Sequence, residues 1–290
     1  MTEDTIDVLA NGVRHFIKNP ITLAPFICLL IVFILLTIIE GAILSIYLSN
    51  YIGSLFQSTN DIYYSLIMLF IYVVVLLLTA SFFGAGLTGM AKTAVETGKT
   101  NFSDMIAYGK KGFLRFFELT LLFIILSLLA LIFFIPLYLQ LGSFTEVLTG
   151  YLLVDFATML SKLGIAYMAF SAGLVLTVIY LLVLWIVFFY AYYAVIVDEL
   201  SFTNGLKKSV SMLKNKKALG FVIVLTLFTL VMIDGSSLFV WIFSLLGPLS
   251  VLGPYVYDIL VMIILTFGYI CGARMYMVIE GKTVSDAKND

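Results

Sequence analysis

The sequence predicts an all-α integral membrane protein with six transmembrane helices. Three observations carry this: the composition, six long apolar runs, and a one-sided placement of basic residues. Of 290 residues, 62% are hydrophobic and only 11% charged, whereas soluble domains run near about 45–50% and about 25%. Such a chain is neither a soluble enzyme nor a disordered segment. With 16 basic against 17 acidic residues, it has no cationic excess with which to hold nucleic acid.

A spanning helix needs about 20 apolar residues, and six runs satisfy that: 21–48, 62–90, 114–141, 164–197, 219–246 and 255–279. They form a single polytopic membrane domain over 1–290. The acidic start, Met1 to Asp7, has no basic leader, and the first run is too long for a cleavable signal. The first helix is therefore read as retained. The fourth run is longer than a straight crossing requires and must tilt, kink or extend beyond the bilayer. All Lys and Arg except Lys162 fall on one side of this layout. The positive-inside bias puts both termini in the cytoplasm of a cell-membrane protein.

Amphipathic segments precede the first, third and fifth spans. Ile6, Leu9, Val13, Phe16 and Ile17 form an apolar stripe opposite Asp7, Asn11, Arg14 and Lys18. Phe102, Met105, Ile106 and Phe113 form a second stripe, and Phe202, Leu206, Val210 and Leu213 a third. Apolar stripes with basic polar faces suit helices lying in the membrane interface. Outside, 144–163 reads as an external amphipathic helix joining spans three and four.

Local identity accompanies this periodicity. Asn11-Gly12-Val13-Arg14-His15 parallels Asn204-Gly205-Leu206-Lys207-Lys208, with Tyr108-Gly109-Lys110-Lys111 as a weaker copy. Glu96-Thr97-Gly98-Lys99-Thr100 is echoed by Glu280-Gly281-Lys282-Thr283. The expected unit is an interfacial helix plus a two-helix hairpin, repeated three times in parallel.

Most motifs dissolve in this context. Gly84-Ala85-Gly86-Leu87-Thr88-Gly89 has the spacing of a dinucleotide loop but lies inside a span, where small residues permit close helix packing. Gly98-Lys99-Thr100 and Gly281-Lys282-Thr283 lack the earlier glycine of a phosphate-binding loop, so no nucleotide cofactor is expected. His15, the single histidine, is read as a polar-face residue of the first interfacial helix, and no metal site is expected. Cys28 and Cys271 read as apolar side chains rather than a disulfide on a reducing side. No nucleophile–base pair can be assembled, so the chain is not read as an enzyme.

Three carboxylates form a candidate polar path. Counting about 1.5 Å per residue from the basic end of each span puts Glu40, Asp234 and Asp258 at similar depth toward the outer leaflet. Charges there are costly unless they are functional or reach water. Arg14, Lys110, Lys111, Lys207 and Lys208 are the candidate contacts with lipid headgroups or a partner.

The stretch Tyr192-Tyr193-Ala194-Val195-Ile196-Val197-Asp198-Glu199, followed by Leu206-Lys207-Lys208-Ser209 and Leu213-Lys214, resembles a group of prokaryotic multi-pass proteins. That group is similar to the membrane domain attached to some glycerophosphodiester phosphodiesterases. Gly205 stands where the pattern has alanine, and the proline common before the acidic turn is absent. The resemblance implies a non-catalytic membrane module and assigns no functional residue.

The expected function is therefore a non-enzymatic membrane protein of transport or membrane-support type. Alternatives are the membrane subunit of an ATP-driven transporter and a lipid-organising structural protein. The expected partners are the lipid bilayer and either a second copy of the chain or a separate soluble ATPase.

Overall fold

In the computed structural model, residues 3–51, 59–136 and 156–285 are described. Regular structure among them is entirely helical, and six helical stretches are long and apolar enough to cross a membrane. The chain is a multi-pass membrane protein.

The helices are α1 (Thr5–Lys18), α2 (Ala24–Tyr51), α3 (Thr59–Thr97), α4 (Phe102–Leu128), α5 (Phe156–Val197), α6 (Phe202–Met212), α7 (Lys216–Ser244) and α8 (Leu252–Ile279). Their contacts group the chain into two compact units, 1–119 with 190–290, and 120–189.

The larger unit is organised around the ends of α3, α5 and α8. Ala85, Leu87, Met90, Ala91 and Ala94 of α3 are buried, as are Tyr190, Ala191 and Tyr193–Val197 of α5. The last turns of α8, from Ile270 through Met277, are buried on every side. A helix apolar all round belongs inside a bundle, and these three ends form the core. We call this the basic end.

Each of the three helices stops at a residue with positive φ: Gly98 (82°), Glu199 (56°) and Gly281 (65°). Left-handed geometry ends a helix by turning its last carbonyls onto the following amides. At Gly281 both bonds form, Gly281 N–H to Val278 O at 3.2 Å and Lys282 N–H to Met277 O at 2.9 Å. Glycine takes this conformation without strain, while Glu199 does so against its side chain.

The amphipathic segments differ in how they join the spans. Helix α1 begins at the cap Asp4, whose carboxylate accepts from Thr5 N–H at 2.8 Å, and breaks at Asn19-Pro20. Helix α6 breaks before Asn215, whose side chain caps α7 by accepting from Lys217 N–H at 2.9 Å. The second segment has no such breaker. Asn101 and Asp104 cap α4 reciprocally, and α4 then runs unbroken from the amphipathic stretch into the span. The separate helix expected before span three is therefore the first part of α4.

The expected external helix falls mostly outside the described residues. Its last part, 156–163, is continuous with α5. Helix α5 has 42 residues, about 63 Å at 1.5 Å per residue, so the long fourth run extends beyond the about 30 Å hydrocarbon layer.

The smaller unit, 120–189, packs parts of α4 and α5 against each other. Helix α4 tightens into a 3-10 turn over Leu129–Phe134, where carbonyls lose their usual donors. Helix α5 supplies replacements: Tyr180 donates to Leu126 O at 2.8 Å and Thr177 to Ala130 O at 3.5 Å. In lipid, such backbone groups must be satisfied within the protein.

Candidate functional site: the polar joints at the basic end

Three glycines place the amphipathic segments. A Cβ on Gly12 of α1 would lie 2.3 Å from Cys271 Sγ of α8. One on Gly109 of α4 would lie 2.9 Å from the Phe82 ring of α3, and one on Gly205 of α6 2.7 Å from Val195 Cγ1 of α5. Each segment thus lies on the second helix of the hairpin before it, with α1 closing the cycle onto α8. These are the glycines shared by the local identities Asn11-Gly12, Tyr108-Gly109 and Asn204-Gly205.

This docking reassigns the faces of the segments. On α1 the protein-facing side carries Val8, Gly12 and His15, all buried. The apolar stripe points away from the protein, with Ile6 74% and Ile17 69% exposed. Val13 on the same stripe is exposed too. On α4 Met105, Gly109 and Gly112 are buried while Phe102 and Ile106 are exposed, and on α6 Gly205, Ser209 and Met212 are buried while Val210 is exposed. Each segment has three faces, one for protein, one apolar and outward, and one polar.

The α1–α8 joint is a buried ionic triad. Arg274 of α8 is fully buried, and its guanidinium donates to both carboxylate oxygens of Glu3, with Nε to Oε2 at 2.9 Å. Its Nη1 donates to His15 Nε2 at 2.7 Å and to Ser285 O at 3.1 Å. His15 is also fully buried, which corrects the expectation of a polar-face residue. The cause is a contact 259 positions away in sequence, which local periodicity does not encode. Burial, foremost, and then Arg274 hold the imidazole below its ordinary 6.5, although the Ser285 carbonyl favours the charged ring. Asn19 extends the joint to α3: its amide donates to Gly98 O at 3.0 Å and its carbonyl accepts from Thr100 N–H at 3.0 Å. Ser285 N–H donates to Val95 O at 2.8 Å.

The second joint gathers α5, α6 and α8 around Asp198. Lys208 Nζ donates to Asp198 Oδ2 at 2.6 Å and also pairs with Glu280. Lys282 pairs with the other Asp198 oxygen, and the Tyr276 hydroxyl donates to the same carboxylate. Two carboxylates and two ammonium groups leave the cluster without net charge. Burial alone would raise Asp198, but the hydrogen bonds from Lys208, Lys282 and Tyr276 outweigh it and hold the carboxyl below its usual range. Lys208 is likewise held protonated, since Asp198 and Glu280 overcome its desolvation. Beneath lie stacked tyrosines, with Tyr193 and Tyr276 rings 6.1 Å apart and Tyr190 donating to Ala218 O at 3.0 Å. Two of the residues that carry the sequence resemblance, Asp198 and Lys208, thus take part in this joint.

The remaining candidate residues are placed as follows. Asp234 on α7 and Asp258 on α8 are exposed, and among the described residues no hydrogen bond or ion pair links them. The Glu40 side chain lies outside the described residues. Lys111 pairs with Glu199, and that contact, foremost, holds the Glu199 carboxyl below its usual range. Lys208 is taken up by the Asp198 joint. Arg14, Lys110 and Lys207 are exposed. The Gly84–Gly89 stretch packs α3 on α4, with Gly84 against Phe116, Gly86 against Met105 and Gly89 against Tyr108. Among the described residues, no group of three or more His, Cys, Asp or Glu side chains is placed to hold a metal ion.

Residues 5–278 match the family described as a domain of unknown function (DUF7847), which covers nearly the whole chain, so the chain belongs to that family. No curated protein and no solved structure matches it.

Proposed function

We propose that this member of the DUF7847 family is a non-enzymatic membrane-support protein of the cell membrane. Both termini face the cytoplasm, and the three glycine-docked segments form a collar in the inner-leaflet interface that holds lipid around the helical core. One observation carries this reading. The apolar stripe of α1 faces outward while its opposite side is fixed to α8. A helix so held presents apolar side chains to acyl chains and basic ones to headgroups.

Charge supports the same arrangement. Arg14, Lys110 and Lys207 are exposed at the basic end, and each such residue near an anionic surface contributes about 1 kcal/mol. The resemblance to the membrane domain of glycerophosphodiester phosphodiesterases favours a non-catalytic module. A transport reading depends on Glu40, Asp234 and Asp258 converging, and Asp234 and Asp258 stand exposed and, among the described residues, unlinked.

The test is lipid analysis of the protein extracted with its surrounding bilayer into polymer nanodiscs. Anionic lipid should be enriched over the bulk membrane, and the enrichment lost in an Arg14→Gln, Lys110→Gln, Lys207→Gln variant. An annulus identical to bulk lipid, together with solute flux from proteoliposomes, would replace this reading with transport. A stoichiometric ATPase in the extract would make the chain a transporter subunit.

A further inference from the structure

We propose that the α1–α8 joint is an acid-released latch keyed by His15: uptake of a proton by its imidazole frees α1 from α8. The geometry sets this up. A guanidinium has donors only, so the 2.7 Å contact from Arg274 Nη1 requires an unprotonated His15 Nε2. A proton at Nε2 turns the contact into two opposed donors and puts a second cation beside a fully buried arginine. Compensation at the joint is limited to the Ser285 carbonyl, which favours the charged ring but already accepts from Arg274 Nη1. Both oxygens of Glu3 are already engaged by Arg274, and His15 Nδ1 is buried with no hydrogen-bond partner among the described residues.

The charged groups facing His15 are Arg274 from α8, Glu3 from the segment leading into α1, and Lys18 from α1 itself. The Cys271 thiol lies on the same side of α8, against Gly12. From the end of α3, among the described residues, the joint receives the carbonyls of Val95 and Gly98, through Ser285 and Asn19. Two cations thus oppose a third charge, and the one anion is already bidentate.

The other ionic joint provides the contrast. Lys208 lies three positions after Gly205, as His15 lies three after Gly12. Its ammonium is paired with two carboxylates, Asp198 and Glu280, in place of an imidazole facing a guanidinium. Only the α1 joint, among the described residues, is keyed by a histidine, the side chain whose ordinary value of about 6.5 lies close to neutrality.

The sign follows from linkage. The docked ring is disfavoured as a cation and the released ring returns to its ordinary value, so release takes up a proton. Docking is complete above about pH 7 and weakens as pH falls below about 6.5, by up to tenfold per pH unit.

The fold contains its own reporter. Cys271 is covered by Gly12 when α1 is docked, while Cys28 on α2 is partly exposed and serves as the internal reference. The full chain in liposomes is treated with a membrane-permeant aromatic disulfide that reacts at acid pH, and the two modified peptides are quantified by mass spectrometry. The Cys271/Cys28 rate ratio should rise about tenfold from pH 7.5 to 5.5 in the wild type. It should stay flat in His15→Gln, whose amide oxygen accepts from Arg274 without titrating. A flat wild-type ratio, or an equal rise in His15→Gln, overturns the proposal. If His15→Gln does not fold, the wild-type ratio decides alone.

Discussion

Arg274 Nη1 lies 2.7 Å from His15 Nε2, so the C-terminal part of the final helix is fastened to the last turn of the first. The same guanidinium holds Glu3, and neither Arg274 nor His15 has any exposed surface. Removing one partner of a buried ion pair leaves an uncompensated charge, which costs about 3–5 kcal/mol. Arg274→Met should therefore lower stability by about that much. The Glu3→Gln, Arg274→Met double variant should recover most of the loss. Unfolding in mild detergent measures both, and equal costs for the single and double variants would count against the buried pair.

The α1–α8 contact also has a steric side. A methyl group on Gly12 meets the Cys271 sulfur at 2.3 Å but its Cβ at 3.6 Å. Gly12→Ala should destabilise by about 1–3 kcal/mol through overpacking. Adding Cys271→Ala removes the clashing atom and should restore much of that loss, a coupling that a double-mutant cycle in thermal unfolding reads directly. Gly220→Ala is the control, because open space surrounds that position, and it should be neutral or stabilising by up to about 1 kcal/mol.

The Asp198 joint should respond to pH in a different window. Its carboxyl is held below the ordinary carboxylate value, so its contribution is complete above about pH 5 and is lost as pH falls through about 4 and below. Asp198→Asn should cost about 1–3 kcal/mol at neutral pH, less than a fully buried pair because solvent screens the cluster in part. The difference between wild type and variant should stay constant from pH 8 to 5.5 and shrink toward pH 3. A difference already falling between pH 7 and 6 would place the titration elsewhere.

Asp234 and Asp258 should tolerate neutralisation. Both are exposed and unlinked among the described residues, so Asp234→Asn and Asp258→Asn should each change stability by no more than about 0.5 kcal/mol. Thermal unfolding with and without added cations checks this. A cation-dependent stabilisation lost in either variant would return them to a functional role.

Six spans and their common basic end are legible in the sequence because hydropathy and loop charge are local properties. The docking of the amphipathic segments is not. Periodicity locates the stripe Ile6, Val13 and Ile17, and in a soluble protein that stripe would face the core. On the proposed reading lipid is the apolar phase, and the protein-facing side is marked instead by Gly12 and His15. The repeated Asn-Gly and Tyr-Gly pairs hold that signal, since a shared glycine at equivalent positions points to close approach. Arg274 reads as one more basic residue near a span end, because its partners Glu3 and His15 are 271 and 259 positions away. The continuity of α4 is decided by what 109–115 lacks: no proline or capping asparagine separates its amphipathic part from the span, as Asn19-Pro20 and Asn215 do elsewhere.

The most direct test of the lipid-facing collar is a spin-label scan of α1 in liposomes, comparing collisions with oxygen and with a water-soluble nickel complex. The account predicts high oxygen accessibility at positions 6, 13 and 17, high nickel accessibility at 7, 14 and 18, and low values for both at 8 and 12. Positions 6, 13 and 17 found open to nickel and closed to oxygen would contradict it, since the stripe would then face water and α1 would have no hold on the bilayer.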